Sequence, residues 1–148
     1  MKDGVLIGID AGTSVIKSVA FTTTGEQIAA AAIPNRYQTF PDGGAEQDMA
    51  RTWTDTAATL KELTEKIPNL ANRLIAISVT GQGDGMWLID KAGEPVAPAW
   101  LWLDARSAAI TEAFAASQDY PAHYKRTGTG VNACQMSMQL VWMMRNRA

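Results

Sequence analysis

The sequence predicts an α/β fold, and three observations indicate it. Three apolar stretches, 5–10, 15–21 and 27–33, are separated by short turns that contain Gly and Thr, which is typical of an antiparallel sheet. An amphipathic helix follows, and after it the apolar stretch 74–79 reads as a strand. Because a helix connects the two parts, we expect this strand to be buried and to lie parallel to one of the first strands.

The long helix is expected to begin after Asp48, which is a favourable N-cap residue. Farther along, the pattern predicts a strand at 86–89, an apolar stretch at 96–103 and helices at 106–117 and 135–147, with a polar turn through Gly128 and Gly130 between the two helices. The predicted buried face of the long helix consists of apolar residues at helical spacing, namely Met49, Trp53, Ala57, Leu60, Leu63 and Ile67.

The composition indicates one globular domain and argues against several classes of partner. The 148 residues are 47% hydrophobic, which is enough for a core. The net charge is −2 and Lys and Arg form no dense cluster, so nucleic acid is not an expected partner. No stretch is long enough to span a bilayer, and the single cysteine, Cys134, rules out a disulfide within the chain. We therefore expect a soluble cytoplasmic protein without a membrane partner.

The first turn of the predicted sheet has the residues of a phosphate site. Asp10 ends the first strand, and a carboxylate there can hold a hard cation such as Mg²⁺. Gly12 allows close approach, and Thr13 and Ser14 can donate hydrogen bonds to phosphate oxygens. Lys17, on the next strand, is either a point charge for a phosphate or a solvated lysine. The alternative is an ordinary hairpin turn, since Asp and Gly favour turns for local reasons.

A second glycine-rich turn, at 80–85, follows the predicted strand 74–79. In open α/β sheets, ligands bind beyond the carboxyl ends of the strands. Gln82 and Asp84, separated by Gly83, would project there, and an amide beside a carboxylate suits a ligand with several hydroxyl groups. A plain polar turn is the equally weighted alternative.

The tryptophan-rich segment 100–106 is the third candidate. An indole can cover the apolar face of a sugar or polyol while polar neighbours bind its hydroxyl groups. Asp104 and Arg106 are more simply explained by a structural role, either paired with each other or, for Asp104, capping the next helix. Trp87 and Trp100 are assigned to packing, because aromatic clusters more often form core than binding site.

The end of the chain suggests a segment of a longer protein. The last predicted helix runs to Arg147 without a glycine cap, and a sheet with one helical crossover normally gains further strand–helix units on its open edge. The rest of that longer chain is an expected partner. An unprotected edge also favours association between copies, so a homodimer is among the expected assemblies.

Taken together, five segments resemble, in the same order, the N-terminal part of the FGGY family of carbohydrate kinases. The resemblance extends over nearly the whole chain, although each segment alone is a weak signal. The segments are Asp10–Thr13 with Lys17, Glu46–Asp48 with Trp53, Gly81–Gly85, Trp102–Arg106, and Thr127–Gly128 with Trp142.

The resemblance implies an actin-like, ribonuclease-H-like fold, of which residues 1–148 form the incomplete N-terminal part of the first of two domains. It implies ATP-dependent phosphorylation of a sugar or polyol hydroxyl, with ATP and Mg²⁺ bound in the cleft. By this analogy Asp10 holds Mg²⁺. The residues that then meet the phosphates are Gly12, Thr13, Ser14 and Lys17, and those that line the substrate pocket are Gln82, Gly83, Asp84, Trp102 and Asp104.

Departures from the family pattern narrow the range of expected substrates. Glycerol kinases have an arginine and a glutamate where this chain has Gly83 and Asp84, and xylulokinases have a methionine and a histidine. The turn and the Trp-Leu-Ile-Asp sequence after it resemble the members that act on erythritol, so a small polyol is expected. Cys134 stands where glycerol kinase has a substrate-contacting tyrosine.

The family's catalytic aspartate and adenine-binding domain lie beyond Ala148, so the general base is expected downstream and the segment alone is expected to be inactive. A non-catalytic sugar-binding module and a fragment of an actin-like ATPase are the alternatives.

Overall fold

The structure is a computed structural model that describes residues 3–146, and it divides into two compact units. The first unit comprises Met1–Tyr37 and Asp48–Gln82, and the second comprises Gln38–Gln47 and Gly83–Ala148. In chain order the elements are β1 (Val5–Ala11), β2 (Val15–Thr22), β3 (Gln27–Pro34), β4 (Gln38–Thr39), β5 (Ala45–Gln47), α1 (Met49–Lys66), α2 (Leu70–Arg73), β6 (Leu74–Gly81), β7 (Ala99–Trp100), α3 (Ala108–Ala115), α4 (Tyr120–Thr127) and α5 (Met136–Asn146).

The first unit is a four-stranded mixed sheet with the strand order β3-β2-β1-β6. β1 pairs antiparallel with β2, β2 pairs antiparallel with β3, and β6 returns parallel to β1 after the helical connection. The predicted hairpins and the predicted parallel strand are therefore confirmed. Strands β1 and β2 are the inner strands of this sheet, each hydrogen-bonded on both sides.

One face of the sheet forms the core of the first unit. Val5, Ile7 and Ile9 alternate along β1 and are buried together with Leu63 and Ile67, which follow one another at helical spacing at the end of α1. The helix begins as predicted, since Asp48 accepts a hydrogen bond of 3.0 Å from the backbone N–H of Arg51. Alternation along β1 leaves the even-numbered residues on the opposite face.

The predicted buried face of α1 is wrong for Trp53 and Ala57, which are exposed, Trp53 by 76%. The residues in contact with the sheet include Thr59 and Leu63, which are fully buried. Thr59 can lie there because its hydroxyl shares a 2.6 Å hydrogen bond with that of Ser18 on β2. A helix turns about 100° per residue, so the side chain of Trp53 points about 120° away from that of Thr59 around the helix axis. Counting apolar residues alone misses a buried threonine whose hydroxyl has a partner.

The expectation that the strand at 74–79 is buried is also wrong. Ile75, Ile77 and Val79 of β6 are exposed by 44%, 46% and 67%. The reason is position, because β6 is an edge strand of this sheet and α1 packs mainly on β2 and β3. The apolar run itself predicted the strand correctly, but it did not show which side of the sheet is covered.

The second unit contains a small antiparallel sheet of β4, β5 and β7 and three helices, α3 to α5. The strand predicted at 86–89 is reduced to two isolated bridges, Met86 with Trp100 and Ile89 with Pro95. Only Ala99–Trp100 of the apolar stretch 96–103 forms a regular strand.

The helices predicted at 106–117 and 135–147 are confirmed as α3 and α5, and the predicted end at Arg147 lies outside the described residues. Helix α4 lies just before the predicted turn through Gly128 and Gly130, in a stretch where no element was predicted. It has a proline in its first turn and buries no residue, so it carries no apolar periodicity by which it could be recognised.

Among residues 3–146, no helix has both the length and the apolar character that crossing a membrane requires.

Candidate functional site

Asp10 lies near the end of β1, on the face of the sheet opposite α1. In the strand register it is paired with Lys17 on β2 and with Thr80 on β6. Paired residues on neighbouring strands share a face, so these three side chains form one row across the sheet. All three are exposed. The first unit therefore brings together the predicted Asp10 and Lys17 as a carboxylate and an ammonium on neighbouring strands.

The turn that carries Gly12, Thr13 and Ser14 directly follows this row. The β1–β2 ladder ends at the pair Ala11 and Ile16, so the three turn residues lie outside it. A Cβ atom at Gly12 would approach the carbonyl oxygen of Val15 to 2.9 Å, closer than real Cβ contacts allow. Glycine is therefore required here by the tightness of the turn, and the backbone stays open beside Asp10.

Asn35 supports this turn, and the sequence analysis did not identify it. Its side-chain Nδ2 donates to the carbonyl oxygen of Gly12 at 2.9 Å, and its backbone N–H donates to the carbonyl oxygen of Ser14 at 2.8 Å. Asn35 is 7% exposed. Its only local signal is its place directly after Pro34, the last residue of β3, because both contacts join residues more than twenty positions apart.

The donor set at Asp10 fits a magnesium ion that arrives with a phosphate group. Within the described part of the chain, no three His, Cys, Asp or Glu side chains cluster in a way that could hold a metal ion. Mg²⁺ does not need such a cage, since it commonly binds through one or two carboxylates, water and substrate phosphates. One exposed carboxylate beside a glycine turn matches that mode and does not match a structural metal site.

The second glycine-rich turn begins in the first unit and continues in the second. Gln82, directly after β6, belongs to the first unit, and Gly83 and Asp84 belong to the second. A Cβ atom at Gly83 would meet no atom within 4 Å, so this position has free space. Gly85 differs, because its φ is +107° and a Cβ there would collide with the carbonyl oxygen of Trp100.

Backbone hydrogen bonds within the second unit bring this turn beside the tryptophan segment. Met86 and Trp100 exchange hydrogen bonds of 2.8 and 3.0 Å in an antiparallel bridge. Asp84 and Trp102 each lie two residues from this bridged pair. Both are exposed, Trp102 by 49%. The second unit therefore displays a carboxylate and an indole on neighbouring segments.

Asp84 also contacts Cys134. The thiol Sγ lies 3.6 Å from Asp84 Oδ2, and the carbonyl oxygen of Cys134 accepts a 2.9 Å hydrogen bond from the N–H of Gly85. Burial raises the pKa of the Cys134 thiol, and the negative charge and hydrogen bond of Asp84 raise it further. The thiol is therefore protonated at neutral pH, and a protonated thiol is a poor nucleophile.

Asp104 differs from the other predicted pocket residues because it is 1% exposed. Its Oδ2 accepts hydrogen bonds from the N–H of Ala45 at 2.9 Å and from Nη2 of Arg106 at 2.5 Å, and its Oδ1 accepts one from the N–H of Arg106 at 3.1 Å. These contacts agree with the structural alternative for Asp104 and Arg106. They fix Asp104 to β5, and the backbone N–H of Asp104 donates to the carbonyl oxygen of Leu101 at 3.0 Å across the loop that displays Trp102.

Arg106 is the centre of this network. Its Nη1 lies 2.9 Å from Oε1 of Glu46, and its guanidinium carbon lies 3.5 Å from the centre of the Trp100 ring. Burial acts to lower the pKa of Arg106, but the hydrogen bonds and charges of Asp104 and then of Glu46 outweigh it, so the net shift is upward. Arg106 is therefore a permanently charged group held between two carboxylates and an indole.

Three comparisons with known proteins show the family and the fold of this chain. Residues 5–148 match the FGGY family of carbohydrate kinases, N-terminal domain. The chain is 49% identical to the erythritol kinase of Brucella abortus (strain 2308), over 96% of this chain and 27% of that protein. It is 31% identical to the glycerol kinase of Mycoplasma genitalium, over 99% of this chain and 29% of that protein.

The structure is similar to the crystal structure of xylulose kinase from Rhodospirillum rubrum, with a TM-score of 0.86 and 27% identity over 96% of this chain and 29% of that chain. The structure therefore has the actin-like fold that the sequence predicted. The chain belongs to the FGGY family of carbohydrate kinases and spans less than a third of the length of the relatives it matches.

Replacing Arg106 by methionine is expected to destabilise the second unit by about 3–5 kcal/mol, because it leaves buried carboxylates without their partner. Arg51→Met is the control, since Arg51 makes an exposed ion pair with Asp55 and should change stability by at most about 0.5 kcal/mol. Urea unfolding followed by tryptophan fluorescence measures both. A loss for Arg106→Met no larger than for Arg51→Met would contradict the structural role.

Gly83 and Gly85 are expected to respond differently to alanine. Gly85→Ala should cost about 1–3 kcal/mol, because it forces a positive φ on a residue with a Cβ and creates a collision. Gly83→Ala should leave stability unchanged or raise it by at most about 1 kcal/mol. Thermal or urea unfolding of the two variants gives the comparison, and equal losses would show that the turn is not held as described.

The reactivity of Cys134 is expected to depend on Asp84. Asp84→Asn removes a neighbouring negative charge, so the thiol pKa should fall and alkylation by iodoacetamide at pH 8 should become faster. Asp90→Asn, at an exposed turn of the same unit, is the charge-matched control and should leave the rate unchanged. An unchanged or slower rate for Asp84→Asn would mean that the carboxylate does not face the thiol.

Proposed function

We propose that this chain is part of an ATP-dependent kinase that phosphorylates a hydroxyl group of a small polyol, with erythritol as its substrate. Membership of the FGGY family supports carbohydrate phosphorylation, and the 49% identity to an erythritol kinase supports the polyol. One observation carries the proposal: exposed Asp10 and Lys17 lie side by side at a glycine turn. Phosphoryl transfer depends mainly on positioning and on neutralising charge, and this row supplies groups for both.

The first unit supplies the groups for the nucleotide phosphates. Asp10 orients Mg²⁺, and Lys17 adds a positive point charge on the neighbouring strand. The backbone at Gly12 and the hydroxyl groups of Thr13 and Ser14 donate hydrogen bonds to phosphate oxygens. Mg²⁺ bound to ATP neutralises charge on the phosphates when it is present. None of these residues changes its covalent state.

The groups for the polyol come from the glycine-rich turn and the tryptophan loop. Gln82 and Asp84 hydrogen-bond neighbouring hydroxyl groups, and the indole of Trp102 covers the C–H face of the carbon chain. Gly83 leaves room that a side chain would occupy. Asp104 contributes indirectly, because its buried carboxylate holds the loop that carries Trp102.

The chain is proposed to act as the N-terminal segment of the first kinase domain in a longer protein. The relatives it matches are more than three times its length. The remaining part would contribute the general base and the adenine site. Residues 1–148 alone would therefore not phosphorylate a polyol. A cytoplasmic location suits an enzyme that uses ATP, and a homodimer is the proposed assembly.

A polyol panel tests this function directly. The full-length protein is incubated with ATP, Mg²⁺ and erythritol, glycerol or xylulose, and ADP release is coupled to NADH oxidation. We expect the highest kcat/KM with erythritol, and no turnover with the 148-residue chain alone. ADP release that is independent of any polyol would instead support an actin-like ATPase. Polyol binding without ADP release would support a non-catalytic sugar-binding module.

Asp10→Asn should lower kcat of the full-length protein on the order of 100-fold, as expected when a group that orients a bound metal is lost. Raising the Mg²⁺ concentration should restore part of the activity. Asp3→Asn removes the same charge from an exposed residue just before β1 and is the control. Wild-type turnover by Asp10→Asn would refute the proposed role in metal binding.

A further inference from the structure

We propose that Asn35 is a positioning residue, which sets the orientation of the Gly12–Ser14 turn and thereby the affinity for the nucleotide phosphates. The inference rests on the proposed function of that turn, and the residue itself does not touch the phosphates in this proposal. It concerns a side chain that lies outside the family motifs quoted above. Asn35 follows β3, whereas the turn that it contacts joins β1 to β2.

The first argument is that the sheet ladders leave the turn unsupported. The last pair of the β1–β2 ladder is Ala11 with Ile16, and the last pair of the β2–β3 ladder is Val15 with Pro34. Asn35 continues the second ladder by one hydrogen bond, from its N–H to the carbonyl oxygen of Ser14 at 2.8 Å. Its side-chain amide then reaches the carbonyl oxygen of Gly12 at 2.9 Å. One residue therefore anchors both sides of the turn.

The second argument concerns the direction of the backbone. The described residues contain no cis peptide bond, so the C=O and the following N–H of each peptide point in opposite directions. A Gly12 carbonyl held toward Asn35 therefore turns the N–H of Thr13 away from Asn35. Rotation of this one peptide would exchange the N–H for a carbonyl oxygen, which repels a phosphate. The amide of Asn35 opposes that rotation.

The third argument is burial and charge. Asn35 is 7% exposed, so its Nδ2 has little water to replace the contact with Gly12. An amide donates this hydrogen bond without adding charge. An aspartate in its place would present an oxygen to a carbonyl oxygen and a negative charge near the phosphates. A neutral donor is therefore the side-chain type that suits this position.

Asn35→Ala in the full-length protein should raise KM for Mg²⁺·ATP by roughly 10-fold, the upper effect of one lost hydrogen bond, and should leave KM for the polyol within about twofold. Asn35→Asp should show a pH-dependent defect. Burial favours the neutral form of a carboxyl at this position, and that form can donate to Gly12, so KM for Mg²⁺·ATP should rise, relative to the wild type, as the pH increases from 5.5 to 8. Asn72→Ala, at an exposed residue of the same unit, is the control.

Titration calorimetry with Mg²⁺·ADP separates this inference from the proposed function. If the wild type binds Mg²⁺·ADP and phosphorylates no polyol, the proposed function fails, and a weaker affinity of Asn35→Ala still supports the positioning role. Equal affinity of wild type and Asn35→Ala, or an equal rise in both KM values, would overturn it. If Asn35→Ala does not fold, Asn35→Asp, which keeps the size of the side chain, takes its place, and the absence of any pH dependence in its affinity for Mg²⁺·ADP relative to the wild type would overturn the inference.

Discussion

The pairing of β1 on both of its sides is the constraint on which the first unit depends. Antiparallel pairing with β2 and parallel pairing with β6 fix the register, and the register fixes which residues share a face. Val5, Ile7 and Ile9 are buried because they alternate onto the face that α1 covers. Asp10 follows Ile9 and therefore lies on the opposite face. A slip by one residue would bury the carboxylate and expose the aliphatic side chains, so the core itself holds Asp10 in place.

The first unit is stabilised by aliphatic packing, whereas the second unit is organised around a buried charged group, the guanidinium of Arg106. Arg106 lies between Asp104, Glu46 and the ring of Trp100, and the side chain of Gln139 donates to the carbonyl oxygen of Leu101 in the same region. Buried charges of this kind are strongly directional, since each needs its partner in a defined place. The conformation of the loop that carries the exposed Trp102 is therefore fixed by these buried polar contacts.

Much of the fold could be predicted because its signals are local. The hairpin strands, the Asp48 cap and the helical crossover to β6 each depend on neighbouring residues. The buried face of α1 could not be predicted, because Thr59 is buried through a hydroxyl pair with Ser18, forty-one residues away. Helix α4 could not be predicted because none of its residues is buried, so its sequence has no apolar pattern.

The residues of the candidate site also divide into those that the sequence predicted and those that it missed. Asp10 and Lys17 follow from a motif whose members are close in sequence, and the pairing of Asp104 with Arg106 was foreseen for that reason. Asn35 had no such signal, since a side-chain amide that supports a turn twenty-three residues away leaves no periodicity or spacing. The exposure of β6 was missed for a related reason, because a strand's own sequence does not show what lies over it.

Strand β6 has a consequence for how this chain behaves at high concentration. Its eight residues, Leu74–Gly81, include three exposed β-branched aliphatic side chains and contain neither a charge nor a proline. Edge strands without such interruptions act as templates onto which another strand adds. This segment therefore favours association between copies of the chain, and a net charge of −2 provides little long-range repulsion to oppose it.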